Sequence, residues 1–233
     1  MSYNLERLYL FSPSIFKTRI DPSTYDKDII VADVEENYKI SPFRNKWGDI
    51  EAKDNWHHTY GDEENSMFRK INFDKVNVEY AKIISDFVKR LDLITPVNYH
   101  YRIANITASK NIQSMKVHNH LTKIQGTNSW CSFNGVHYIS FKKGHSGTKI
   151  LNPSMFAQYF KTFEHIAGLI NLSNPDNTEH HDVATITPKE DDFVIMPSYL
   201  NHGVDGTTDN KDDLRITVVI NIWLEKKEEI INE

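Results

Sequence analysis

The nine residues Arg215–Trp223, RITVVINIW, decide how this chain folds. Read with the two-residue period of a β-strand, they separate into Ile216, Val218, Ile220 and Ile222 on one face and Arg215, Thr217, Val219, Asn221 and Trp223 on the other. The first face is wholly apolar and predicts packing against a covering layer. The other opens with an arginine and a threonine. Taking a guanidinium out of water is costly unless an anion answers it. If this face looks inward, Arg215 needs a carboxylate, from the protein or from a ligand. An ordinary internal salt bridge, or an exposed place at the start of the strand, are the simpler alternatives.

Working back from this strand, YHYRIANIT, SMKVHNH, GVHYISF, ATITP and DFVIMP are short runs rich in β-branched and aromatic residues, divided by Gly, Asn, Asp and Lys. They predict an antiparallel sheet system. Ahead of them, Val76, Tyr80, Ile83, Ile84, Phe87, Val88 and Leu91 recur at helical spacing between Lys75 and Leu91, so an amphipathic helix fronts the sheets. A second helical pattern, from Pro153 to Ile170, interrupts the strands. LYLFSPSIFKTRI suits an entering strand, and the polar stretch 47–64 a long loop. The expected fold class is mainly β with covering helices, a sandwich-like barrel of the jelly-roll kind. One domain is expected over 1–233: an N-terminal strand, loop and helices over 1–96, and a β core over 97–225 with the helical insertion near 153–170.

Composition narrows the function classes. The 233 residues are 39% hydrophobic, enough for one good core. A net charge of -5, without long like-sign blocks, argues against nucleic acid as a partner. The single cysteine, Cys131, excludes an intrachain disulfide and suits a reducing interior. The start MSYNLERLYLF lacks the basic residues and apolar run of a signal peptide, and no apolar stretch approaches the roughly 20 residues that span a bilayer. The expectation is a cytoplasmic protein with no membrane partner.

Among 11 histidines, three stand in a pattern. In a strand, residues two apart share a face, so His118 and His120 of MKVHNH would present both imidazoles to one point. His202, in PSYLNHG directly after the apolar run FVIMP, is placed to be a third ligand of a metal. His57, His58, His180 and His181 lie in polar surroundings that suit solvated side chains, and His137 and His145, flanking a strand, are read the same way. The letters HNH do not make a nuclease. That site spreads its residues over a hairpin and a helix, whereas LTKIQGTNSW after His120 has neither helical pattern nor basic character.

In order, these features are H-x-H on an early strand, a distal His after a hydrophobic strand ending in Pro, and R-x-T followed by Asn on the last strand. This resembles the Fe(II)- and 2-oxoglutarate-dependent dioxygenases of the double-stranded β-helix fold. It is most similar to the 2-oxoglutarate/iron oxygenases found in bacteria and tailed phages, and more distantly to prolyl hydroxylases. The resemblance extends to the entering strand, the preceding helix and Ala104-Asn105-Ile106. It implies Fe(II) as metal and 2-oxoglutarate as co-substrate, with molecular oxygen and an unidentified primary substrate, a small molecule or a protein side chain, as reaction partners. His118, His120 and His202 would be metal ligands, Arg215 would pair with the distal carboxylate of 2-oxoglutarate, and Thr217 would hydrogen-bond to it. Asn105, Tyr138 and Asn221 would line the cavity. His120 departs from the wider pattern, which has Asp or Glu there. That departure keeps two other readings open: a three-histidine, cupin-type metal enzyme that does not use 2-oxoglutarate, and a non-catalytic β-barrel binding module.

Overall fold

The structure is a computed structural model that describes residues 13–40, 56–59, 68–91, 93–123, 129–153, 173 and 181–227. In chain order the elements are β1 (Phe16–Arg19), α1 (Lys27–Ile40), β2 (Trp56–Thr59), α2 (Asp74–Arg90), β3 (Val97–Lys110), β4 (Met115–His118), β5 (Phe133–Ser140), β6 (Thr148–Leu151), β7 (Val183–Ile186), β8 (Asp192–Pro197), β9 (His202–Val204) and β10 (Leu214–Lys226). The strands form two antiparallel sheets, ordered β1-β8-β5-β10-β3-β2 and β4-β9-β6-β7.

β10 lies inside the larger sheet, and its alternation is used on both faces. Ile216, Val218, Ile220 and Ile222 are each 0% exposed and join one core cluster with both helices. From α2 this cluster takes Val76, Tyr80, Ile84 and Phe87, and from α1 Ile30, Val34 and Tyr38, spacings that put each set on one helical stripe. On the opposite face the two sheets meet across a second cluster. Val136 and Tyr138 of β5 and Val194 and Met196 of β8 pack there with Ile150 of β6, Leu200 and the half-buried Ile186 of β7.

The expected helix over 75–91 and the strand runs are present, and β2 lies within the polar stretch 47–64 that reads as a loop. α1 has no counterpart in the sequence reading because Asp33, Glu35, Glu36 and Asn37 dilute its apolar stripe. The helical pattern 153–170 and the loop 174–180 fall outside the described residues, apart from Pro153.

His137 and His145 are not solvated; both are buried, at 0% and 5% exposure. His137 points to the helical side of β5, where its Nδ1 and the Tyr80 hydroxyl share a 2.9 Å hydrogen bond, and the rings of Tyr25 and Phe193 stand around it. Burial, with a smaller effect of Lys27, pushes its pKa down to about 3. Above about pH 6.5 the ring is neutral in folded and unfolded chains alike. Between 6.5 and 3 only the unfolded chain takes up this proton, so stability falls with pH by at most about 1.4 kcal/mol per unit from this group. Urea midpoints measured between pH 7.5 and 5 should decline, and a His137→Leu variant should show a shallower decline. An equal slope in the variant would remove His137 as a cause.

Candidate metal centre

His118 and His202 are directly paired residues of β4 and β9. The two strands can meet this closely because residue 203 is glycine: a Cβ there would fall 2.8 Å from the Met115 carbonyl oxygen and 3.3 Å from the Val117 nitrogen, both main-chain atoms that cannot swing aside. Gly203→Ala should therefore cost about 1–3 kcal/mol in a thermal or urea melt and weaken metal binding along with it. Unchanged stability would show that β9 can move off without consequence.

Strand pairing of β4 ends at His118, so His120 does not share its face by strand alternation as the sequence suggests. Its main chain is held instead by the His120 N–H donating to the Ser198 carbonyl at 2.9 Å. Asn119 turns outward, its amide N–H donating to the Asn201 side chain at 3.0 Å. The three rings converge all the same. His118 and His202 centroids are 4.5 Å apart, His118 and His120 5.3 Å, and His120 and His202 5.2 Å with nearly parallel planes. One ring nitrogen from each lies within 4.8 Å of the others, and among the described residues no carboxylate or thiol joins the group.

The protonation pattern suits a cation. The Nδ1 of His118 bonds the Lys116 carbonyl and that of His202 the Leu200 carbonyl, each at 2.9 Å. A carbonyl only accepts, so both Nδ1 atoms carry hydrogen, and in the neutral ring Nε2 keeps its lone pair. Burial, followed by the neighbouring imidazoles, pushes His120 down to about 3; burial is likewise the main cause that brings His202 to about 4. Both rings are neutral near pH 7, the form that donates to a metal.

A polar wall runs along the inner face of the larger sheet. Arg215 of β10 faces Ser109 of β3, Thr217 faces Thr107, and Val219 faces Asn105; all but Val219 are buried. The Arg215 guanidinium donates to the Ser146 carbonyl at 3.1 Å and to the Ser109 hydroxyl at 3.4 Å. No carboxylate of the described residues lies within 4.0 Å of it, though it is only 4% exposed. Burial lowers its pKa to about 10, so it remains charged. Neither an exposed strand start nor an internal salt bridge describes it. Tyr138, whose hydroxyl shares a 2.7 Å hydrogen bond with Thr148, lies close enough to interact electrostatically with Arg215. Asn221, at the other end of the wall, places its amide beside His120 and so ties wall and triad together.

Of the candidate residues, His118, His120 and His202 come together. Arg215, Thr217, Asn105 and Tyr138 occupy the wall, and Asn221 joins the two. The sequence reading missed Thr107, Ser109, Asn134, Ser146 and Thr148. The first two were open to the same alternation test, since N-I-T-A-S alternates polar with apolar residues over 105–109. The others are brought in by register alone.

No protein-family model and no curated protein matches the chain. Solved structures do align with it. They include the viral collagen prolyl hydroxylase of Paramecium bursaria Chlorella virus-1 in its 2-oxoglutarate complex, at 11% identity over 92% of this chain and 96% of that one, TM-score 0.48. A Pseudomonas putida prolyl-4-hydroxylase aligns at 8% identity over 93% and 95%, TM-score 0.48. A Trichoplax adhaerens prolyl hydroxylase, bound to a peptide of hypoxia inducible factor, aligns at 12% identity over 91% and 83%, TM-score 0.49. At these scores the likeness lends no weight to a shared activity; the chain's own residues must supply it.

Proposed function

We propose that the chain is an Fe(II)- and 2-oxoglutarate-dependent oxygenase built as one double-stranded β-helix domain. The observation that carries this reading is the pairing of two features on one interior: three neutral imidazoles within 4.8 Å, and a buried, charged arginine for which no described residue supplies a carboxylate. A cation fits the first and a carboxylate ligand the second. A dicarboxylic keto acid would answer both, its keto-acid end at the metal and its far carboxylate at Arg215.

His118, His120 and His202 would hold the iron, which when bound would supply the activation of oxygen. The overall reaction takes 2-oxoglutarate, oxygen and a substrate C–H to succinate, carbon dioxide and a C–OH. The chain's part is to orient and to exclude water. Arg215 would anchor the far carboxylate by charge-assisted hydrogen bonds, stronger for lying away from solvent. Thr217, on the same strand face, would offer a hydroxyl to the same carboxylate. Asn105 and Tyr138 would bound the cavity. The carbonyls of Lys116 and Leu200 keep His118 and His202 in the tautomer that faces the metal.

Anaerobic addition of Fe(II) and 2-oxoglutarate tests the reading: a visible charge-transfer band that needs both additions, followed by succinate release in air, is the expected result. No band and no succinate would refute it. A second reading, a three-histidine metal enzyme that does not use 2-oxoglutarate, is favoured by the missing carboxylate at position 120. It predicts metal binding that is indifferent to 2-oxoglutarate.

A further inference from the structure

The inference concerns what orients His120, and it rests on the reading of the triad as a metal centre. A ligating imidazole presents one nitrogen to the metal and needs an acceptor for the N–H on the other. Main-chain carbonyls two residues earlier serve His118 and His202. Among the described residues no carbonyl does so for His120, whose neighbour on this side is the Asn221 amide.

Asn221 is 6% exposed, and its Oδ1 makes no hydrogen bond of normal geometry. Directly across the β5–β10 pair stands Asn134, 0% exposed, with neither Oδ1 nor Nδ2 partnered. Directly opposed residues of antiparallel strands point to the same face with neighbouring Cβ atoms. Two adjacent buried amides with three unused atoms are unusual, because buried amide groups nearly always find partners.

We propose that Asn221 is a positioning residue for His120: its side-chain oxygen accepts the ring N–H turned away from the metal, while an N–H of Asn134 donates to the second lone pair of the same oxygen. An amide oxygen has the two lone pairs this requires. A cation on the far nitrogen makes the ring N–H a stronger donor, so the contact tightens as the centre fills. The arrangement gives His120 an outer acceptor in the position where a carboxylate ligand would have needed none of this kind.

The test is anaerobic titration of the full chain with Co(II), followed by its ligand-field absorption, with thermal melts as a check of folding. Asn221→Leu should weaken binding about 10–100-fold, and Asn134→Leu severalfold. Asn221→Asp, a stronger acceptor, should tighten binding severalfold and shift the absorption bands. A purely structural role would not produce that reversal. Affinity within twofold of wild type in Asn221→Leu, or an aspartate variant that behaves like the leucine one, would overturn the proposal. A wild-type chain that takes up no Co(II) would instead overturn the metal centre itself, and this inference with it.

Discussion

An Arg215→Met variant should fold, bind metal and fail to hold 2-oxoglutarate. Removing one member of a buried charge-assisted pair costs about 2–5 kcal/mol, so the affinity for 2-oxoglutarate should drop roughly 30-fold or more. Stability should move the other way. In the free protein the guanidinium is buried with only a serine hydroxyl and a carbonyl as partners, and exchanging such a charge for an apolar side chain of similar size is often neutral or stabilising. The variant's melting temperature should therefore match or exceed that of the wild type without ligand. Adding 2-oxoglutarate with Mn(II) should raise the melting temperature of the wild type and leave that of the variant where Mn(II) alone puts it. Calorimetric titration and thermal melts read both quantities. Undiminished affinity would assign the far carboxylate to another group, and a variant that melts far below the wild type would make Arg215 a structural residue.

His202→Ala should abolish metal binding while leaving the sheets intact. The backbone pairing of residue 202 with His118 and Ile150 does not depend on the imidazole. What disappears is one of three donors and the ring nearest to His118. The loss of affinity should exceed the roughly 10–100-fold typical when an outer hydrogen-bond partner of a ligand is removed. His100→Ala is the control, because that ring stacks on Trp223 and forms no part of the triad. Equal metal affinity in the His202 variant would dissolve the candidate centre.

The parts of this architecture that follow from local alternation were legible in the chain. RITVVINIW announced its two faces, and the helix ahead of the sheets showed in the spacing of Val76, Tyr80, Ile84 and Phe87. The three histidines were legible as residues but not as geometry. His118 and His202 meet through a register between strands more than 80 residues apart in sequence, which no local window contains, and His120 joins them from beyond the strand's end. The same limit explains His137. Its neighbours in sequence say nothing of Tyr80, 57 residues away, and a histidine judged by its neighbours alone looks solvated. Asn134 is a further instance, because its importance comes wholly from standing opposite Asn221.

The double use of β10 makes it a strand on which folding and chemistry can be separated genetically. A saturation library over 215–222, scored once for soluble protein and once for ligand binding, should yield alternating phenotypes. Polar replacements at 216, 218, 220 and 222 should be lost in the first screen. Conservative replacements at 215, 217 and 221 should survive it and fail only the second.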